Sequence, residues 1–383
     1  VGRFQAQTIR NMHINEHGIA FTRGGSRLIN TTALPAAVSA IYDFRRPLDS
    51  GVTATLVVKA GTKLYSINET TGAATEIYDM GSTNRPTFAT FQDGNSKSYM
   101  FVTDGVTFIK WNGTDAATDA ATTYPWGTGG QPKYIWVYDD RLLAAGMDDE
   151  PYRVFVSDTL DGTDWYGGAE SAAQYWTLKS PNGDRITGLH SFYDFGVIQQ
   201  QYGTTIITEA NPDSDTSQQI KVSHEFGTSS HWSVQTVGNY LYFADASHIY
   251  RGELRAAVEN GLEVRTIDEA VQVKYDTVQN HSDIVSAYDA VRKEIQWGCR
   301  TAGSAKSDLT LVYNLALSGN ASTGGTEHVW SGWFDGERYQ PYTLASVLAK
   351  ETGFTAGGDA YTTYRQRVYR GDTDGFIYVM DED

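Results

Sequence analysis

Short runs of alternating hydrophobic and polar residues recur along the chain, and each run follows a glycine turn. These runs cover residues 61–67, 105–111, 203–207, 238–243 and 375–380. Alternation with a period of two places one side of a strand in a core and the other in solvent, and glycine supplies the positive φ angle that hairpin turns need. The pattern therefore predicts many short antiparallel strands joined by tight turns.

The spacing of the runs indicates a structural repeat. Gly61 and Gly105 are 44 residues apart, and Gly203 and Gly238 are 35 residues apart, which is about the length of one propeller blade. No linker or charge block divides the 383 residues into separate domains, and helical patterning is scarce. We therefore expect an all-β fold, a β-propeller of about six to eight four-stranded antiparallel blades.

The predicted propeller forms a single domain over residues 31–383, and residues 1–30 form an N-terminal arm that includes the first strand. Propellers often complete one sheet with strands from both termini, because this removes an exposed edge. We expect residues 374–380 to provide the C-terminal strand of that sheet.

Cysteine usage and the start of the chain bear on where the protein is made. A single cysteine, Cys299, excludes an internal disulfide and is typical of a protein that folds in a reducing cytosol. We expect no signal peptide and no membrane anchor, because no apolar run approaches ~18 residues. The sequence predicts a protein that is synthesised in the cytoplasm.

The charge is distributed unevenly along the chain. The formal net charge is −16, with +3 in residues 1–50 and −19 in the remainder, which argues against a protein that grips phosphate backbones. A basic leader on an acidic body suggests that the leader of one subunit contacts the body of another. The interface residues of this hypothesis are Arg3, Arg10, Arg23 and Arg27. Ordinary scatter of charge is the alternative.

The strongest concentration of acidic residues lies in residues 139–170, which carry a net charge of −7. We interpret it as the best candidate for an acidic surface that lines a channel or contacts a neighbouring subunit, and a solvated face is the alternative. The residues of this candidate surface are Asp139, Asp140, Asp148, Asp149 and Glu150.

One short motif resembles a metal site. His13, Glu16 and His17 match the pattern H-x-x-E-H, in which two histidines one helical turn apart bind zinc. The surrounding residues are weak helix formers and Gly18 follows immediately, so we expect a polar turn before a strand at residues 19–22. The sequence predicts no metal, no cofactor and no catalytic residues.

A second motif supports the propeller without supporting an enzyme. Residues 157–165 resemble the aspartate box of sialidases, S-x-D-x-G-x-x-W, with one extra residue between Ser157 and Trp165. That box locks a hairpin at the outer edge of a blade and has a structural role. A working sialidase would also need three arginines converging on a carboxylate and a Tyr/Glu nucleophile pair, and no such set can be identified.

A succession of strand and turn signatures extends over nearly the whole chain. These are residues 18–26, 55–65, 137–146, 154–157, 164–165, 226–230, 241–245, 286–289, 311–314, 330–333 and 369–378. In this order they resemble the β-propeller virion proteins of tailed bacteriophages, notably the tail nozzle or hub subunits of short-tailed phages.

The resemblance implies a structural protein of the virion, made in the cytoplasm of the host bacterium. It implies a ring of copies, typically six, which extends the DNA-ejection channel below the portal and adaptor and offers an outer face to tail fibres or spikes. DNA would pass through without sequence-specific binding. The alternative is a carbohydrate-binding or sialidase-like propeller, in which Trp111, Trp126, Trp136 and Trp165 would stack on sugars.

Overall fold

Seven antiparallel sheets follow one another along the chain and form the blades of a propeller. The structure is a computed structural model that describes residues 10–15, 17–48, 51–121, 123–127, 130–166, 174–178, 183–255, 261–304, 306–318, 328–335, 341–356 and 359–382. Each blade contains four strands, and the sixth has an additional strand of two residues. The predicted all-β propeller is confirmed, and the number of blades is seven.

Three short strands precede the first blade: β1 (Met12–Ile14), β2 (Ala20–Thr22) and β3 (Gly25–Leu28). Blade 1 contains β4 (Val38–Leu48), β5 (Gly51–Ala60), β6 (Lys63–Ile67) and β7 (Ala74–Asp79). Blade 2 contains β8 (Thr87–Gln92), β9 (Ser98–Thr103), β10 (Phe108–Trp111) and β11 (Thr118–Asp119). Blade 3 contains β12 (Tyr134–Tyr138), β13 (Arg141–Ala145), β14 (Arg153–Val156) and β15 (Gln174–Thr177).

Blade 4 contains β16 (Ile186–Phe192), β17 (Phe195–Gln200), β18 (Gly203–Ile207) and β19 (Gln219–Ser223). Blade 5 contains β20 (Gln235–Val237), β21 (Tyr240–Ala244), β22 (Ile249–Arg255) and β23 (Gly261–Thr266). The additional strand β24 (Val278–Gln279) joins blade 6, which contains β25 (Val285–Asp289), β26 (Glu294–Thr301), β27 (Leu309–Asn314) and β28 (Trp330–Asp335). Blade 7 contains β29 (Thr343–Ala356), β30 (Asp359–Gly371), β31 (Ile377–Glu382) and β3. The described helices are α1 (Gln272–Tyr275) and two single 3₁₀ turns (His231–Ser233 and His281–Asp283).

The first strand of each blade lies nearest the centre of the ring. β4 contacts both β8 and β29, and β12 contacts both β8 and β16, so the first strands of neighbouring blades meet. Because the strands are antiparallel, the connections divide between two faces. The hairpin face carries the turns between first and second strands and between third and fourth strands. The funnel face carries the turns between second and third strands and the connections from one blade to the next.

The N-terminal strand β3 closes the ring by pairing with the C-terminal strand β31. The side chain of Asn30 secures this closure, since its Nδ2 donates to the Gly375 carbonyl at 2.9 Å and its Oδ1 accepts from the Ile377 amide at 2.8 Å. The Leu34 amide also donates to the Gly375 carbonyl. The expectation that both termini complete one sheet, with residues 374–380 as a contributor, is therefore confirmed.

The glycine-led runs correspond to real hairpins, although they are not all at equivalent positions. The runs that begin at Gly61, Gly105, Gly203 and Gly375 all start the third strand of a blade, whereas Gly238 lies between the first two strands of blade 5. The 35-residue spacing from Gly203 to Gly238 therefore joins unlike turns and is not a blade period. Successive blades begin 47 to 58 residues apart.

Large aromatic side chains fill the spaces between blades. Trp126 and Trp165 are 3% and 1% exposed and pack edge to face with ring centroids 5.1 Å apart, in a cluster shared by blades 2 and 3. Trp111 is also buried, and Trp136 packs against buried histidines.

Cys299 is fully buried, and burial raises the pKa of its thiol. Of the helices in the described part of the chain, none has the length and apolar character that crossing a bilayer demands.

Candidate functional site

The first described residues lie along the outer edge of blade 6. The Asn11 amide donates to the Trp333 carbonyl at 2.9 Å, and the Asp335 amide donates to Asn11 Oδ1 at 3.0 Å. Arg10 continues the contact with an ion pair from its Nε to Asp335 Oδ1 at 2.6 Å. The chain therefore covers part of an edge strand that would otherwise expose unpaired backbone groups.

His13 fixes the β1–β2 hairpin to the same blade. Its ring is fully buried, and Nδ1 lies 2.7 Å from Glu294 Oε2, while the Ser331 hydroxyl donates to Glu294 Oε1. Phe21 stacks on the histidine ring with centroids 5.6 Å apart. His13 is thus a residue of a strand that contacts blade 6.

The remaining residues of the H-x-x-E-H motif do not extend this contact into a helical metal site. His17 follows in a turn, β2 begins at Ala20 close to the predicted strand, and Glu16 lies outside the described residues. Among the described residues, no group of three or more His, Cys, Asp or Glu side chains is placed to hold a metal ion.

The arginines of the predicted interface have contacts within the chain. Arg10 pairs with Asp335 but keeps a side chain that is 63% exposed. The guanidinium of Arg23 lies 4.1 Å from the centroid of the Phe334 ring, and Arg27 lies in β3 opposite Val379. Arg3 lies outside the described residues. The role of these arginines in assembly stays a prediction.

The five acidic residues of the candidate surface do not form one surface. Asp139 and Asp140 form the turn between β12 and β13 on the hairpin face, both with positive φ. Asp148, Asp149 and Glu150 follow β13 and lie on the funnel face. The reason is topological, because β13 carries the chain from one face of the ring to the other. Asp148 pairs with Lys133 at 2.6 Å, and Glu150 pairs with Arg153 at 2.6 Å.

The segment that resembles an aspartate box connects the third and fourth strands of blade 3. The Ser157 hydroxyl accepts the Leu142 amide, and Asp161 Oδ1 accepts the Thr163 amide, so both side chains hold the backbone. Trp165 is buried between blades 2 and 3. The segment has the structural role and the position in the blade that the sequence predicted.

A cavity of about 670 Å³ opens at the centre of the funnel face. We call it the funnel. Its lining comes from strand ends and connections of six blades and includes Arg85, Lys133, Tyr134, Trp232, Arg300 and Lys306. Arg85 crosses the centre of the ring, since it donates hydrogen bonds to the carbonyls of Ser39, Asp283 and Tyr342 at 2.9–3.1 Å. The Trp232 indole also reaches across and donates to the Pro86 carbonyl at 3.2 Å.

A buried ion pair supports one wall of the funnel. Lys59 Nζ lies 2.7 Å from Asp104 Oδ2, and both side chains are fully buried. Lys59 also donates to the Asn84 carbonyl, while Asp104 Oδ1 accepts the amides of Val106 and Thr107. Burial lowers the pKa of Lys59 and the hydrogen bond to Asp104 opposes this. Lys59 therefore balances the one lining carboxylate that is fully buried.

Stacked histidines lie behind the aromatic wall of the funnel. The rings of His190 and His231 stack with centroids 4.6 Å apart, and His231 lies 5.3 Å from the ring of Tyr134, measured between centroids. Burial lowers the pKa of both histidines, that of His231 to about 3, so both are neutral at neutral pH. Because the two histidines are neutral, they add no positive charge behind Tyr134, and this wall of the funnel is aromatic and uncharged.

The funnel was not predicted from the sequence. Its lining residues are mostly polar or aromatic and lie in short, scattered segments between residues 39 and 342, and no two of the cations among them share a motif. Only closure of the ring brings these positions together. The blade register, which shows that Arg85 and Trp232 both lie shortly before the first strand of a blade, could have indicated the funnel.

A second unusual feature lies on the hairpin face. The hairpins β4–β5 and β29–β30 are neighbours with strands of 11, 10, 14 and 13 residues, whereas the first strands of blades 2 to 6 have 3 to 7 residues. At about 3.3 Å per residue, β29 is roughly 23 to 36 Å longer than those strands. We call these two hairpins the projection.

A small polar network joins the two hairpins where they leave the ring. Asp43 Oδ2 accepts from Arg45 Nε at 2.7 Å and from the Leu348 amide at 3.1 Å. Arg45 also donates to the Leu348 carbonyl. One carboxylate and one guanidinium therefore tie β4 to β29.

Comparisons with known proteins identify the fold and no family. No protein-family model matches the sequence, and no curated protein sequence is significantly similar to it. Among solved structures, virginiamycin B lyase from Staphylococcus aureus is similar with a TM-score of 0.55 and 12% identity, over 94% of this chain and 99% of that one. A Swd1 β-propeller domain from Myceliophteria thermophila has a TM-score of 0.51 and 10% identity, over 91% of this chain and all of that one.

A third similar structure is the extracellular domain of a one component system from B. thetaiotaomicron. It has a TM-score of 0.51 and 10% identity, over 93% of this chain and 39% of that one. An enzyme and proteins of other kinds therefore share this seven-bladed architecture. At such low identity the similarity extends to the fold alone.

Proposed function

We propose that this protein is a structural subunit of the tail of a short-tailed bacteriophage. In this role it acts as a nozzle or hub subunit, forms part of the DNA-ejection channel and provides a platform for neighbouring tail proteins. The observation that carries the proposal is the projection. Two strands that leave a sheet bury little apolar surface and are marginally stable alone. Hairpins of this length therefore fit a protein that packs them against another subunit.

Two further observations support a ring of identical subunits. The outermost strand of blade 7, β3, is exposed along all four of its residues, so it leaves a sheet edge available. The sequence also resembles the phage propellers from residues 18–26 to residues 369–378. In such a ring, typically of six copies, the arm and the projection would contact neighbouring copies, and the outer face would contact adaptor and fibre or spike proteins.

The DNA conduit of this proposal is the lumen between subunits. Arg85 and Trp232 cross the centre of the propeller itself, so its own channel offers no passage for a duplex. A subunit with a net charge of −16 repels the phosphate backbone, which lets DNA slide. DNA would therefore pass without sequence-specific contacts.

A role without catalysis is part of the proposal. The lyase named above supports the fold and not its chemistry, because the two sequences are only 12% identical. The carbohydrate-binding alternative has little support, since Trp111, Trp126 and Trp165 are buried and Trp136 packs against His190. A glycan would need ring faces that are open to solvent.

The test shortens the projection without touching the ring. Lys350 and Tyr364 are paired in the β29–β30 hairpin, so residues 351–363 can be replaced by Asn-Gly, a two-residue turn suited to a hairpin. We expect the wild-type protein to form a ring, and a hexamer of 42.2 kDa subunits has a mass of about 250 kDa. The shortened variant should remain monomeric, and native mass spectrometry would distinguish the two.

The control variant inserts the same Asn-Gly pair in place of Tyr193 and Asp194, which form the turn between β16 and β17 on the hairpin face. It should assemble like the wild type and keep the same strand content by circular dichroism. The shortened variant should lose only the strand signal of the residues that are removed. A wild-type protein that is monomeric and binds glycans would contradict the proposal. So would a shortened variant that assembles as well as the wild type.

A further inference from the structure

We propose that the funnel is a binding site for a small organic anion, one that carries carboxylate or phosphate groups on a planar or cyclic body. The inference goes beyond the proposed structural function and does not depend on it. A cavity of about 670 Å³ has the size of sites that enclose small molecules. The lining explains why the occupant should be an anion.

Arg85 provides a positive charge at the floor of the funnel. Its three hydrogen bonds go to backbone carbonyls and use three of the five N–H donors of a guanidinium. Among the residues that the structure describes, no side chain accepts a hydrogen bond from the other two donors. Carbonyl dipoles and the Trp232 ring, whose centroid lies 5.2 Å from the guanidinium carbon, compensate this charge together with the nearby carboxylate of Asp283. No carboxylate accepts a hydrogen bond from Arg85 among the described residues.

The rim of the funnel adds three more cations. Lys133 and Arg300 form ion pairs with Asp148 and Asp283 at 2.6 and 3.1 Å, and all four side chains are partly exposed. Exposed pairs of this kind contribute little and can exchange partners. Lys306 Nζ donates a hydrogen bond to the Thr373 hydroxyl, at 3.4 Å, and forms no ion pair with a carboxylate among the described residues.

The balance of charge in the funnel therefore has the opposite sign to that of the whole chain. Lys59 neutralises the buried Asp104, so four lining cations face two exposed carboxylates, those of Asp148 and Asp283. A cleft with low-dielectric walls focuses such a local charge. An anion that a chain of charge −16 repels elsewhere is thus attracted here.

The aromatic wall indicates the body of the ligand. Tyr134 and Trp232 line the funnel with ring centroids 6.2 Å apart, and neutral histidines lie behind them. Burial raises the pKa of the Tyr134 hydroxyl to about 12, so the hydroxyl stays protonated and can donate a hydrogen bond. A planar or cyclic body would pack on this wall while its anionic groups contact the cations.

Isothermal titration calorimetry at constant ionic strength tests the proposal with benzene-1,3,5-tricarboxylate as the probe. The neutral triamide of the same acid is the matched control ligand. We expect saturable binding of one tricarboxylate per chain and no saturable binding of the triamide. Lys306→Gln should weaken tricarboxylate binding about tenfold, because it removes one charge-assisted contact.

Lys97→Gln is the matched control variant, since Lys97 is exposed in the turn between β8 and β9 on the opposite face. It should bind the tricarboxylate like the wild type. Three results would overturn the proposal: no saturable binding to the wild type, equal binding of the triamide, or equal weakening by Lys97→Gln and Lys306→Gln. Circular dichroism of both variants ensures that any loss of affinity does not reflect unfolding.

Discussion

His190 and His231 show how a buried titratable pair couples stability to pH. Their pKa values are lowered by burial, and for His190 also by the neighbouring His231. In the unfolded chain a histidine has a pKa near 6.5. The unfolded state therefore binds more protons than the folded state at acidic pH, so the free energy of unfolding falls as the pH drops below about 6.5. For His231 this loss continues towards pH 3.

We predict that His190→Phe reduces the dependence of stability on pH. Phenylalanine keeps an aromatic ring between Trp136 and His231 but does not titrate. The free energy of unfolding should fall less steeply between about pH 5.5 and 4.5, by roughly 1.4 kcal/mol per pH unit. Urea unfolding at several pH values would measure the slope.

The wild type and His190→Phe have the same carboxylates. The difference between their slopes of unfolding free energy against pH therefore excludes the contribution of the carboxylates. His224→Phe is the control, because His224 is exposed and has no part in the stacked pair. It should leave the slope as in the wild type. Equal slopes for the wild type and His190→Phe would show that His190 does not couple folding to protonation.

At the scale of the element, the sequence predicted the turns better than the lengths of the strands. Gly61, Gly105 and Gly375 have positive φ at the start of third strands, and this requirement is visible in the sequence as glycine. The length of the β29–β30 hairpin was not predicted. Gly353, Gly357 and Gly358 interrupt the alternation there, and contact with β4, which is distant in sequence and belongs to another sheet, supports the hairpin at its base.

Gly375 lies at the closure of the ring, and we predict that Gly375→Ala is strongly destabilising. Its φ is +87°, and a Cβ atom would lie 2.2 Å from the Leu34 carbonyl oxygen. Both the strained backbone and the clash disfavour alanine, so the free energy of unfolding should fall by about 3 kcal/mol or more.

Gly238→Ala separates these two causes. Gly238 has a φ of +56°, and a Cβ atom there would meet nothing within 4 Å. Backbone strain alone should cost about 1 kcal/mol. Urea unfolding would compare the variants, and equal losses would mean that the contact between Gly375 and Leu34 does not hold the ring closed.

At the scale of the whole molecule, the positions of the charged residues follow from the closure of the ring and not from the net charge. Acidic residues that are neighbours in sequence separate to opposite faces, as Asp140 and Asp148 do, because strands cross the ring. Cations that are far apart in sequence, such as Arg85 and Lys306, converge at its centre. Counts of charge along the chain could therefore predict that the propeller has a negative net charge. They could predict neither the funnel nor which acidic residues share a surface.

The positive charge of the arm should promote the assembly in our proposed function. Replacing Arg3, Arg10, Arg23 and Arg27 by Glu should reduce ring formation, more at low salt than at high salt. The reason is that charge pairs between subunits chiefly set the association rate and specificity and are screened by salt. Sedimentation velocity at two salt concentrations would measure the fraction assembled.

A charge swap separates contacts within the chain from contacts between chains. Arg10 pairs with Asp335 of its own blade 6, so Arg10→Asp combined with Asp335→Arg restores that pair with reversed polarity. If Arg10 also meets acidic surface on a neighbour, the swapped variant should still assemble poorly at low salt, because its new carboxylate faces like charge. If the swapped variant assembles like the wild type, Arg10 acts within its own chain alone. Normal assembly of the quadruple variant at low salt would remove the arm from the interface.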